Sequence, residues 1–137
     1  MKVKVAQTTA LQINYLVAKC EGWDSIGLAE IISGEAYPDL HAFTTDWAQG
    51  GPIIEREGIS TVFCSGDLGE PRNYWIATAE AQGWEWGYGP YHAQDDEKSI
   101  QIYKATTHTG PTPLIAAMRC YVASQMGDEV EIPDELV

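Results

Sequence analysis

Residues 110–127 restrict the fold most, because they read as a helix with both ends marked and little polar surface. Thr112 is placed as the N-cap, where its hydroxyl can accept from a backbone N–H that has no helical partner. Pro113 follows at the first helical position, where a missing N–H costs nothing and the fixed φ already suits a helix. Gly127 fits the position just past the end, with Asp128 and Glu129 outside. Leu114, Ala117, Met118, Tyr121 and Val122 follow the i, i+3, i+4, i+7, i+8 spacing of one buried stripe. Ile115, Ala116, Cys120 and Ala123 make the opposite side apolar as well, leaving Arg119, Ser124 and Gln125 as the strongly polar positions. A helix of this kind is buried on most sides, so the rest of the chain is expected to pack around it.

The remaining segments predict an α+β domain spanning 1–137. The 137 residues suffice for one core without metal or disulfide staples. Residues 2–6 alternate charge and aliphatic side chains as a first strand would. Thr9-Ala10-Leu11-Gln12 has the pattern of a capping box, and opens a helix expected to end near Gly22 with Leu11, Leu16, Val17 and Cys20 turned inward. Residues 26–32 are apolar enough for burial, but their period does not separate helix from strand. Residues 34–45 read as loop. Gly50-Gly51-Pro52 predicts a tight turn, followed by a short helix with Pro52 at its first position. Residues 60–64, 74–78 and 99–104 are strand-like. The expected architecture is therefore a small antiparallel or mixed sheet packed on a central C-terminal helix, with an N-terminal helix and a short middle helix. The acidic tail is expected to form an edge strand or to lie partly free.

Composition excludes several classes of function. Twenty acidic against eight basic residues give a net charge of −12, which opposes duplex nucleic acid, whose binding rests on neutralising phosphates with Lys and Arg. No apolar run is long enough to span a membrane, and the N-terminus lacks the continuous apolar core of a signal peptide. Cys20, Cys64 and Cys120 are odd in number and far apart, forming neither a disulfide framework nor a zinc pattern. The expected compartment is a reducing cytoplasm.

Two places combine flexible backbone, a helix start and a nearby base: Gly50 and Gly51 with Arg56, and Gly110 and Thr112 with Arg119. A helix start attracts anions through its unpaired N–H groups and partial positive charge. The plain alternative is that glycine and proline simply start helices here. Flat rings for stacking a base are offered by Trp47 and by Trp84 and Trp86, the latter two set among glycines in residues 83–92. An aromatic hairpin that completes the core or an interface would look the same. His92, Asp95 and Asp96 are too few and too local to define a metal site, and no cofactor motif is present. Ser65, Cys64 and the histidines His41, His92 and His108, which fall in predicted loops, have no recognisable catalytic partner, so the chain is not expected to be an enzyme.

Residues 110–136, the run Thr45-Asp46-Trp47-Ala48-Gln49-Gly50-Gly51-Pro52-Ile53-Ile54-Glu55-Arg56-Glu57 and the early Val17-Ala18-Lys19-Cys20-Glu21-Gly22 resemble the NinX-like proteins of tailed bacteriophages. These blocks cover roughly a third of the chain and leave residues 68–109 unmatched. The resemblance implies a phage origin and an infected bacterial cytoplasm as the location, and it implies no particular chemistry. With the residues above, the expected function is a phage anti-defence protein. It would bind and sequester a small anionic, nucleotide-derived host signal (a cyclic nucleotide or cyclic ADP-ribose type) without cleaving it. The ligand-binding set would be Trp47, Gly50, Gly51, Arg56, Trp84, Trp86, Gly110, Thr112 and Arg119, with a homo-oligomer compatible with such a role. The alternative is an acidic inhibitor or adaptor acting on a host protein.

Overall fold

The computed structural model describes residues 1–34, 41–65, 73–79 and 106–137. Expectations for the aromatic run with Trp84 and Trp86, for His92, Asp95 and Asp96, and for a strand at 99–104 lie outside the described residues. Along the described chain run β1 (Lys2–Lys4), α1 (Ala10–Cys20), α2 (Ser25–Ser33), α3 (Trp47–Glu57), β2 (Ser60–Cys64), β3 (Tyr74–Ala79), β4 (Thr106–Gly110), α4 (Pro113–Met126) and β5 (Glu129–Glu131). The fold is α+β.

Helix α4 is the centre. Thr112 caps it by accepting from the Ile115 N–H at 3.2 Å, Pro113 stands in its first turn, and Gly127 ends it at φ 90°. Eight of its residues, from Leu114 to Ala123, are buried. Burial of several side chains at about 1.5–3 kcal/mol each makes this the main source of stability. On one side lies the antiparallel sheet β2-β3-β4, in which Val62 pairs with Ile76 and Ile76 with Thr109. Ala77 and Ala79 of β3 share the buried face, and their small side chains let the helix approach closely. Ile13, Leu16 and Val17 of α1 complete the core.

Helix α1 crosses α4 and is held at both ends. Its capping box is present: Gln12 N–H donates to Thr9 Oγ1 at 3.2 Å, and Thr9 N–H donates to Gln12 Oε1 at 2.9 Å. Just before it, Thr8 O accepts from Arg119 Nη2 at 2.7 Å, while just after it Glu21 accepts from the Tyr121 hydroxyl at 2.8 Å. Arg119 and Tyr121 are two residues apart, about 200° around a helix, so they grip α1 from opposite sides of α4.

Several expectations are corrected. The first strand stops at Lys4, where a 3₁₀ turn over Val5–Gln7 begins. It does not join the larger sheet. It pairs antiparallel with the acidic tail, Lys2 opposite Glu131 and Lys4 opposite Glu129, a match of charge that the sheet rewards. Leu11 is exposed, because the capping box turns Gln12 inward to donate to Leu136 O at 2.8 Å. Residues 26–32 form a helix, capped by Asp24 on the Gly27 N–H, and only Ile31 of α2 is fully buried. His108 lies in β4, not in a loop.

The largest correction concerns Gly50-Gly51-Pro52, which is helix interior. Helix α3 starts one turn earlier, at Trp47, because the Asp46 carboxylate caps it by accepting from the Ala48 N–H at 2.9 Å. Pro52 removes one helical donor, but Ala48 and Pro52 both face solvent, where water can serve the released carbonyl. The spacing of Asp46 and Gln49 was the overlooked signal of a helix start.

Candidate functional site

Helices α3 and α4 run in the same direction. Gly50 lies against Leu114, and six residues later Arg56 Nη2 donates to the Tyr121 hydroxyl at 3.3 Å. The sequence offset between partners is nearly constant, which only helices advancing together allow. Around α4, Leu114 and Tyr121 are within about 20° of one another and both face α3. The two helix starts therefore stand at one end of the molecule. Trp47, 54% exposed, sits on the first turn of α3 at that end, and the exposed Thr112 caps α4 there.

The glycines of this end serve close packing. A Cβ on Gly50 would sit 2.5 Å from the Phe43 carbonyl oxygen and 2.7 Å from Leu114 Cδ2, so α3 meets α4 with no room for a side chain. Gly50 N–H already donates to Asp46 O at 3.0 Å and is not an unpaired donor. Gly51 has open surroundings, with only Trp47 Cε3 at 3.9 Å from its notional Cβ. A Cβ on Gly110 would lie 2.8 Å from the Ala116 backbone nitrogen, so Gly110 lets β4 turn tightly into α4.

The two arginines differ in their commitments. Arg56 sits at the far end of α3, away from the helix starts, and is neutralised. It binds Glu21 in a fork, at 3.0 and 2.9 Å, and its Nε donates to Glu57 at 3.1 Å. It also lies 5.8 Å from the Tyr121 ring centre. Arg119 donates to Thr109 O at 2.9 Å and to Thr8 O at 2.7 Å, and its Nε is buried without a partner among the described residues. No carboxylate among the described residues pairs with it, and its two hydrogen bonds there are to backbone carbonyls. Burial lowers its pKa from the ordinary value. Arg119 stands about 140° around α4 from Leu114, and so does not face α3 and Trp47.

Of the residues singled out in sequence, the structure brings Trp47, Gly50, Gly51, Gly110 and Thr112 to one end of the molecule, with Arg119 reaching back along α4 toward its Thr109 corner. Sequence reasoning misplaces Arg56. It also misses the triad of Glu21, Arg56 and Tyr121, whose members come from the end of α1, from α3 and from α4 and carry no local signal. The Arg56 guanidinium, and after it the Tyr121 hydroxyl, hold the Glu21 carboxyl below its ordinary value of 4.5. Because the folded group ionises more readily than the unfolded one, this stabilisation is complete above that value and is lost as pH falls through the lower folded pKa. Glu21→Gln should thus flatten the decline of stability below about pH 5, by roughly 1 kcal/mol or less given the half-exposed Arg56. Urea denaturation of both proteins across the acid range measures it, and parallel curves would refute the assignment.

Among the described residues no group of three or more His, Cys, Asp or Glu side chains is arranged to hold a metal ion. Burial pushes the Cys20 and Cys120 thiols up to about 11, which keeps them protonated and unreactive at neutral pH. No helix among the described residues is long and apolar enough to cross a membrane.

No curated protein matches the chain. The family model described as bacteriophage P22 NinX matches residues 4–125, a span that includes the middle left unmatched by the shorter sequence blocks. The chain belongs to the P22 NinX family of bacteriophage proteins.

Proposed function

We propose that the chain is a phage accessory protein that binds and holds a nucleotide-derived host immune signal, of cyclic nucleotide or cyclic ADP-ribose type, without cleaving it. The observation that carries this reading is the side-by-side start of α3 and α4 next to the exposed Trp47. Parallel helices add their dipoles at a shared end and so favour an anion there. The indole offers a flat, apolar face for a base at the same place. Asp46 puts a carboxylate on the start of α3, so the phosphate is assigned to the α4 side, where the cap is the neutral Thr112. Arg119, with which no carboxylate among the described residues pairs, adds positive potential from the Thr109 side of that corner.

Calorimetric titration with a panel of cyclic dinucleotides, cyclic trinucleotides and ADP-ribose derivatives tests this, followed by chromatography of the recovered ligand. Binding with intact recovery is the expected result. Trp47→Ala should weaken it by about 10–100-fold, the equivalent of 1–3 kcal/mol of stacking, and should leave stability within about 0.5 kcal/mol because the ring is exposed. Absence of heat from every ligand, or recovery of a cleaved product, would sink the proposal.

One set of observations favours a second reading, an acidic adaptor for a host protein. Arg56 is already neutralised within the fold, and exposed Ile26 and Trp47 stand on a surface of net charge −12. Such a surface steers basic partners and offers them apolar anchors. In that case Trp47→Ala abolishes co-purification of a host protein and no nucleotide binds.

A further inference from the structure

Among the described residues two aromatic rings are exposed, Trp47 at 54% and Phe63 at 48%, while the other Phe, Tyr and Trp side chains are buried or half-buried. One of the two opens a helix and the other lies in a strand, yet the fold brings both to the end where α3 and α4 start. Phe63 pairs with Trp75, and Trp75 with Gly110, so Phe63 is two strands, about 10 Å, from the corner that leads into α4. Residues directly opposite one another in a sheet point to the same face. At Gly110 that face meets the Ala116 nitrogen, so Phe63 projects on the side of the sheet that α4 covers. The Trp75 ring braces it, with centres 5.2 Å apart and planes inclined by 57°. A half-exposed ring already held on one side loses little freedom on stacking against a ligand.

Trp47 belongs to the other flank of the same turn. It lies one turn before Gly50, which packs on Leu114. Around α4, Leu114 faces α3, whereas Ala116, and Cys120 one turn on, face the sheet, about 200° away. The first turn of α4 therefore stands between the two exposed rings. The sheet side of it is neutral: β2, β3 and residues 109–118 contain no acid, in a chain that has 20. We infer that Phe63 is a second stacking platform and that the ligand is a cyclic dinucleotide, with one base on Trp47, the other on Phe63 and the phosphate–ribose ring across the start of α4. This rests on the reading of the helix starts given above and narrows it. A cyclic dinucleotide carries two flat bases joined through one anionic ring, and each base has an apolar face to cover. A ligand with one base, a cyclic mononucleotide or a cyclic ADP-ribose, leaves one of the two rings bare.

Calorimetric titration of the full chain with cyclic di-AMP and cyclic di-GMP, each beside its cyclic mononucleotide and beside cyclic ADP-ribose, tests this. The wild-type chain should bind a dinucleotide at least about tenfold more tightly than any one-base ligand, the lower end of what stacking one further base contributes. Phe63→Ala should remove that advantage, so that the affinities for the dinucleotide and its mononucleotide converge. Phe63→Leu keeps the apolar bulk against Trp75 and should lose the advantage as well, whereas Phe63→Trp restores a ring and should keep it. This pattern separates stacking from a fault in folding, which Phe63→Leu would repair. A dinucleotide bound equally by the wild type and Phe63→Ala, or a one-base ligand bound as tightly as any dinucleotide, overturns the inference and leaves the broader reading standing. No heat from any of these ligands overturns both.

Discussion

Arg119→Ala should destabilise the fold by roughly 2–4 kcal/mol, the largest effect of any single charged residue described here. The side chain makes two charge-assisted hydrogen bonds to carbonyls of distant segments, Thr8 O before α1 and Thr109 O at the end of β4. Hydrogen bonds of this type contribute about 1.5–3 kcal/mol each, reduced here because the residue is only half-buried. Truncation also leaves two acceptors unserved beside an apolar helix. A loss of this size lowers the melting temperature by about 10 °C in a chain of this length. Arg119→Lys should recover at most part of it, since one ammonium cannot span both carbonyls with the fork of a guanidinium. Thermal melts of the three proteins decide the matter, and an Ala variant as stable as the wild type would refute the clamp. The prediction also shapes any binding study, because loss of ligand on Arg119→Ala would report unfolding as readily as contact. Trp47 is the cleaner probe.

Gly50→Ala and Gly51→Ala should move stability in opposite directions although the positions are adjacent. At Gly50 the new methyl meets a backbone carbonyl at 2.5 Å and a leucine methyl at 2.7 Å, and the first of these cannot swing away. Overpacking of this kind costs about 1–3 kcal/mol, more than the helix propensity gained. At Gly51 the nearest atom is 3.9 Å off, in ordinary contact, and alanine should stabilise α3 by up to about 1 kcal/mol. Denaturant midpoints of the two variants against the wild type give the signs. If both stabilise, α3 and α4 are not in the close contact described.

What could be read in advance follows the range of the forces involved. Both ends of α4 and the start of α1 were legible, because Thr112, Pro113, Gly127 and the Thr9–Gln12 pair act on backbone within four residues. The start of α3 misleads for the same reason: Gly-Gly-Pro is strong local punctuation, yet the contacts that demand Gly50 come from outside its helix, from the Phe43 carbonyl oxygen and from Leu114 far along the chain. Strand pairing is likewise non-local, and nothing in residues 2–4 announces a partner at 129–131. The arginines illustrate the limit for sites. A base near a helix start looks available in sequence, but Glu21 is 35 residues from Arg56 and Thr8 is 111 from Arg119. Their commitments arise only when the chain is folded.

The pairing of β1 with β5 also bears on how this chain acquires its structure during synthesis. Helix α1 can be capped early, but its apolar face has little to cover it until α4 has emerged, and β1 waits for the last strand of all. Closing so long a loop adds little to its equilibrium cost, which grows only with the logarithm of length, but it delays the decisive contacts. An emerging polypeptide stalled before residue 113 would therefore present Ile13, Leu16 and Val17 to any chaperone at the ribosome exit, and the fold would close only in its final steps.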